Sequence, residues 1–478
     1  MAVIAAYVVN AVLNLALGLL LAQILGPADF GRFALGLAGS VVLTTLFFEW
    51  LRLSATRFYS ERVRGEEPWI RAVLDRAYAT TALCLVAAAL LCLAGRPLAG
   101  PPATLAAAAV ATAVGIGLFD YQTTLARARF IGHLYLKLIL VKSGFALVFT
   151  VATAWVTGDA TAVIAAAGVS QFLAALLIHR GLTDPRHRPA AEHGRAWLRT
   201  FVAYGLPLIA ANVVYQLMPF ANRSAIAAVG GFAESGYFSL ASDIGTRIFG
   251  TLGAALDVLL FQLAVRAEEE GGRAEGERQV ARNVAVVAAL ILPSAAGFWA
   301  VLPAVEAIAV PEAFRGHFGA YLLPMLPGLV AFAAMNYALN PIFQIRRRTV
   351  PVIAAALLGA AVNLVALLAL ATPLGPVGIA VAQTLGFLAA FGFLALRALS
   401  GPGRLHLPWR DLAAATLATL AMLAVVWPLR GLPPWLALSA CIGSGVTIYG
   451  GFVWLLDIAG LRSAILERVR PNLPAAAE

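Results

Sequence analysis

Apolar residues run along the chain in blocks of about twenty, broken by short stretches of Arg, Gly and Pro. A helix needs about 20 mostly apolar residues to cross the hydrocarbon core of a bilayer. Read against their breaks, the blocks predict fourteen spanning helices: 3–25, 33–51, 77–95, 103–121, 136–156, 160–178, 201–222, 236–264, 283–302, 319–343, 350–371, 376–396, 412–429 and 435–457.

The charges between the blocks give an orientation. Alternate connections hold 27 of the 34 Lys and Arg residues, and the opposite set holds five. Lys and Arg accumulate in cytoplasmic loops, so both termini are expected in the cytoplasm. A span missed or invented midway would erase that asymmetry. The chain opens straight into an apolar run, and no cleavable signal peptide is expected. Most non-cytoplasmic connections are tight turns such as Thr157-Gly158-Asp159, so no domain is expected on that face. The connections at 180–199 and 265–282 are longer and polar, and read as solvated linkers.

Composition agrees with this picture. AVILMFWYC residues make up 61% of the 478 and charged residues only 12%. A soluble domain carries about 25% charged residues to face water. Soluble, disordered, collagen-like and disulfide-scaffold classes are excluded. The net charge of +10 is loop Arg, and no nucleic-acid partner is expected. Cys84, Cys92 and Cys441 lie in apolar runs without ligand spacing, and the six histidines lie at loops or span ends. No phosphate-cradling G-x-x-x-x-G-K-[ST] occurs. No catalytic group, metal site or cofactor is expected, and the chain reads as a non-enzyme.

The sequence also repeats itself. Asp29-Phe30-Gly31-Arg32-Phe33 opens span two, and Glu234-Ser235-Gly236-Tyr237-Phe238 opens span eight 205 residues later. Asp120-Tyr121 and Asn336-Tyr337 lie in the fourth of six spans each time, and Gln171 and Gln383 in the sixth. Two parallel six-helix halves follow: 1–180 and 200–398, joined by a cytoplasmic linker at 181–199. Two further helices and a tail fill 399–478. Transporters built this way place substrate between the halves. The predicted fold class is all-α and polytopic, with two six-helix lobes around a central cavity.

Charges within a bilayer are unfavourable by at least about 2.5–3.5 kcal/mol each and need a partner or a cavity. At 100° per residue, Asp243, Arg247 and Asp257 share one stripe of span eight about 80° wide. Arg247 lies about 16 Å into the helix, near the midplane. An i, i+4 pair of Asp243 with Arg247 would permit insertion by itself; Asp257 on the same face favours a hydrated cavity. Further stripes hold Asn10 and Asn14 in span one, Asn212, Gln216 and Arg223 in span seven, and Asn336 and Asn340 in span ten. Each stripe alone reads as glue between helices. Together with span eight they read as a polar lining. Glu49 and Arg52 end span two as an i, i+3 pair, while Lys142 and Asp120 lie near helix ends.

With these motifs in order, the chain resembles the polysaccharide (O-antigen type) flippases of the multidrug/oligosaccharidyl-lipid/polysaccharide exporter (MOP) superfamily. The resemblance rests on Leu25-Gly26-Pro27-Ala28-Asp29-Phe30-Gly31-Arg32-Phe33, Tyr204-Gly205-Leu206-Pro207-Leu208, Glu234-Ser235-Gly236-Tyr237-Phe238-Ser239-Leu240-Ala241 and Leu374-Gly375-Pro376-Val377-Gly378-Ile379-Ala380. It implies a bacterial inner-membrane protein of lipopolysaccharide biosynthesis. Such a protein flips undecaprenyl-diphosphate-linked oligosaccharide by alternating access, with membrane lipids and polysaccharide-assembly proteins as partners. The family's cationic lining would fall on Arg52, Arg223 and Arg247. Asp243 and Asp257 are candidates equally for H+ or Na+ coupling and for partners of Arg247. The lipid II flippase branch has Arg in its first span, where this chain has Asn10, Asn14 and Gln23. The rival readings are a drug exporter of the same superfamily, a membrane polymerase or ligase acting on lipid-linked glycans, and an assembly scaffold.

Overall fold

The computed structural model describes residues 2–94, 101–183, 191–345, 350–400 and 405–469, and the regular structure in them is helical throughout. Its first half runs α1 (Ala2–Phe47), α2 (Glu49–Phe58), α3 (Glu61–Glu66), α4 (Ile70–Ala94), α5 (Pro101–Ala128), α6 (Gly132–Thr157) and α7 (Ala160–Ile178). Then come α8 (Ala191–Ala309), α9 (His317–Ala334), α10 (Asn340–Ile345), α11 (Val350–Leu370) and α12 (Gly375–Leu399). The chain closes with α13 (Trp409–Val426), α14 (Pro434–Leu456) and α15 (Leu461–Val469).

These helices cover all fourteen expected spans. Among the described residues, eleven helical segments are long and apolar enough to cross a membrane. Spans one and two share α1, while seven, eight and nine share α8. A straight helix of 119 residues would be about 180 Å long, six times the hydrocarbon thickness. Left-handed backbone at Gly231 (φ 86°) and Gly272 (φ 75°) turns α8 between its spans. Gly26 (φ 69°), followed by Pro27, does the same for α1. Only glycine takes that conformation without a Cβ clash.

Large apolar side chains such as Leu83, Leu91, Val365, Leu368 and Leu455 point outward. Lipid tails are as apolar as leucine, so helix association here comes from close packing of small residues. In the first half, a methyl group on Gly168 of α7 would lie 2.5 Å from Thr112 Cα of α5. Thr112 Oγ1 donates to the Ile164 carbonyl at 2.7 Å. In the second half, a methyl on Gly328 of α9 would lie 2.7 Å from Thr384 Cα of α12, and Thr384 Oγ1 donates to the Pro324 carbonyl at 2.6 Å. Positions 112 and 328, like 168 and 384, are 216 residues apart, as are Asp120 and Asn336. The contact repeats with its two residue types exchanged.

The structure divides into two compact units, Met1–Leu240 with Ala369–Ile379, and Ala241–Leu368 with Ala380–Glu478. In the first, Phe48, Leu51, Tyr59, Ile70, Leu74, Leu125 and Phe201 form a buried core beneath α2. The repeated turns meet there reciprocally. A methyl on Gly31 would lie 1.9 Å from the Phe232 carbonyl oxygen, and one on Gly236 would lie 2.1 Å from that of Pro27. In the second unit, α13 and α14 pack on the last span of α8 through Ala285, Ala289, Ala415, Ala418, Met422 and Cys441. Tyr449 Oη donates to the Ala289 carbonyl at 2.7 Å.

Most described residues of the 180–199 connection are exposed, while Leu182 is buried and Trp197 half-buried. From residue 191 it is helical and continuous with span seven, and Trp197 docks on the connection after span two. Trp197 Nε1 donates to Glu67, and Phe58 meets the rings of Trp197, Phe201 and Tyr204 at 5.3–5.8 Å. Trp197 combines apolar area with an N–H donor, and it anchors an otherwise mostly exposed helical end. The 265–282 connection does face solvent, with exposed pairs Arg266–Glu270 and Arg278–Glu275.

Candidate functional site

In the first unit the polar site begins where α1 ends. The backbone turns at Phe48 (φ −118°, ψ −18°), and α2 restarts with Glu49 in its first turn. A carboxylate there complements the positive end of the helix dipole. Arg52, one turn on, donates to Glu49 from Nε at 2.8 Å and also from Nη2. Asn212 Nδ2, from span seven, donates to Glu49 Oε1 at 3.3 Å. Asp120 stands within electrostatic reach of Glu49, Arg52, Arg127 and Lys142. The Lys142 ammonium lies 5.7 Å from the Phe119 ring centre. Glu49, Arg52 and Asn212 are thus hydrogen-bonded together, with Asp120, Arg127 and Lys142 at electrostatic range, at the Arg-rich end of spans two, four, five and seven.

The other expected residues of this unit lie elsewhere. Arg223 is buried, about 16 Å along the helix from Asn212 at 1.5 Å per residue. Its carbonyl accepts from the Ser235 hydroxyl at 3.2 Å, tying the ends of spans seven and eight together. Gln216 is exposed, and Asn14 is half-buried and engaged. The side chain of Asn10 lies outside the described residues.

In the second unit, spans eight and ten come together. Leu322 and Leu329 close over Gly245, and Tyr337 Oη donates to the Gly250 carbonyl at 3.1 Å. Around Tyr337 the helix widens into a π-helical segment, Met335–Leu339. One extra residue per turn re-aims side chains, and such segments are frequent at functional sites. Asn340 Nδ2 donates to Asn336 Oδ1 at 3.0 Å, and Asn336 Nδ2 donates to the Phe332 carbonyl at 2.9 Å. The two asparagines form one chain of amides.

Arg247, one turn before Gly250, is exposed. Among the described residues no hydrogen bond or ion pair engages it, so the i, i+4 pair with Asp243 is not formed. Asp243 is half-buried and engaged otherwise. The Asp257 side chain lies outside the described residues. The same unit holds an apolar cavity of about 380 Å³ between spans nine, ten and twelve and the start of thirteen. Val284, Ile291, Val330, Leu388 and Phe391 are among its walls.

Sequence reading passed over one buried network. Arg71, assigned to a loop, is 6% exposed. It donates to Asp75 Oδ1 at 2.8 Å and to the Leu182 carbonyl at 2.9 Å. Tyr121 Oη donates to the same Asp75 oxygen at 2.7 Å, and Tyr78 stacks on Tyr121 with planes 9° apart. The signal was present as Arg71 and Asp75 at i, i+4. A pair with that spacing is ordinarily a solvated one.

No protein-family model matches the chain, and no curated protein sequence matches it. Solved structures do. The fold is similar to that of the lipid II flippase MurJ in an inward closed conformation, with TM-score 0.77 over 96% of this chain and 98% of that one, at 14% identity. It is also similar to an inward-facing multidrug resistance MATE family transporter of the MOP superfamily, with TM-score 0.60 over 81% and 94%, at 16% identity. The chain is a multi-pass membrane protein with the fold of these two transporters.

Proposed function

We propose that the chain flips an undecaprenyl-diphosphate-linked oligosaccharide from the cytoplasmic to the periplasmic leaflet of a bacterial inner membrane. Cell-surface polysaccharide of the O-antigen, lipopolysaccharide type is its end use. The observation that carries this reading is Arg247, a guanidinium eleven residues into a spanning helix with an exposed side chain. A charge at that depth needs either a protein partner or a polar ligand. Guanidinium offers forked donors matched to phosphate oxygens. The Asn336–Asn340 amides supply the kind of donors and acceptors that sugars require. Rocking of two halves would give alternating access, and the lipid tail would stay in the bilayer. Asp243 and Asp257 remain the proposed places for H+ or Na+ coupling. The domain boundaries at 180, 200 and 398 belong to the same proposal.

Cationic drug export requires an acidic lining, and Arg52 and Arg247 argue against it. A lipid II substrate is the runner-up on fold alone, although span one offers asparagines where that branch has Arg.

The test uses a strain deleted for this gene. A membrane-impermeant sugar-modifying probe, applied to spheroplasts and inverted vesicles, reports the face on which lipid-linked oligosaccharide accumulates. The expected result is accumulation on the cytoplasmic face, relieved by the intact gene. Arg247→Ala should insert normally and relieve nothing; a fully active Arg247→Ala would remove the site assignment. Unpolymerised units on the outer face would make the chain an enzyme acting after flipping. No accumulation would move the function to small-molecule export.

A further inference from the structure

Glu49 lies behind Arg52: its side chain is 11% exposed, against 36% for Arg52. Both carboxylate oxygens receive a guanidinium N–H, and Oε1 also receives the Asn212 amide. A guanidinium has five donors in a rigid frame and takes a phosphate best through two parallel bonds. One of those forks, Nε with Nη2, is already filled by a resident anion. A diphosphate reaching the exposed side of Arg52 must empty that fork or sit against a second negative charge, and like charges at close range oppose binding.

We infer that Glu49 is a built-in competitor for the anionic head group at Arg52, displaced when substrate binds and restored when it leaves. The inference rests on the reading of Arg52 as a head-group ligand. The competitor does what a carrier requires. A site that held diphosphate with an unopposed Arg cluster would not let it go, whereas a tethered carboxylate lowers the affinity and re-forms the pair on release.

The experiment measures binding of farnesyl diphosphate to the purified full-length chain by calorimetry, with farnesol as the control for the isoprenoid tail. Glu49→Gln should tighten diphosphate binding by about tenfold, the scale of one lost charge-assisted competitor. It should leave farnesol binding unchanged. Arg52→Ala should weaken diphosphate binding. If Glu49→Gln does not fold, Glu49→Asp replaces it; the shorter arm keeps the charge and should tighten binding in the same direction, by less. A folded Glu49→Gln or Glu49→Asp with wild-type or weaker affinity, alongside a weakened Arg52→Ala, would overturn the competitor. Wild-type binding by Arg52→Ala would instead overturn the head-group role of Arg52 and the competitor with it.

Discussion

At the residue scale, a buried arginine shows how partners decide what a charge can do. Arg71 serves Asp75 and the Leu182 carbonyl at once, which holds the base of span three against the end of span six. Replacing it with leucine should leave Asp75 and that carbonyl without the donor. The expected loss is about 2–3 kcal/mol, the usual scale for unmaking charged hydrogen bonds in a buried place. It would be read as a lower melting temperature in mild detergent. Lysine should recover less than half of it, because a single ammonium cannot serve both acceptors with the geometry of the fork. Sequence showed the residues of this network and not their burial. Helical spacing identifies neighbours along one helix; Leu182 and Tyr121 arrive from elsewhere in the chain. The same limit explains Glu49. Its pair with Arg52 was legible at i, i+3, but its bond to Asn212 spans 163 positions.

At the element scale, the spans were legible because lipid leaves the chain few options. Each apolar block must close its own backbone hydrogen bonds, so block length alone marks the helices. What the blocks do not encode is how closely the helices approach. The reciprocal contacts of Gly168 on Thr112 and of Gly328 on Thr384 leave no room for a methyl group. Gly168→Ala or Gly328→Ala should therefore overpack its helix pair by about 1–3 kcal/mol. Thermal unfolding of each variant in detergent would check this, with Gly392→Ala as the control, since its added methyl would meet nothing within 4 Å. The docked segment after residue 191 belongs to this scale too. It was read by its charges, and Trp197 anchors it to Glu67 and Phe58.

At the scale of the whole molecule, orientation came from the 27-to-5 division of basic residues and is open to direct measurement. In a chain with Cys84, Cys92 and Cys441 replaced by alanine, Gly158→Cys should react with an impermeant thiol reagent on intact spheroplasts. Glu275→Cys should react only after the membrane is opened. The reverse pattern would turn the molecule over, along with every statement about the direction of flipping. The fold was legible through the order of short motifs, and the polar stripes as helix faces: Asn336 and Asn340 are hydrogen-bonded one turn apart, and the backbone carbonyl of Arg223 takes the Ser235 hydroxyl from the next span. The same helix contact occurs in both halves with its two residue types exchanged. Threonine and glycine have traded places between the two halves while the hydroxyl-to-carbonyl bond survived the trade. A double exchange, Thr112→Gly with Gly168→Thr, should accordingly be tolerated where Gly168→Thr alone is not, and the amino-terminal contact would then carry the polarity of its carboxy-terminal twin.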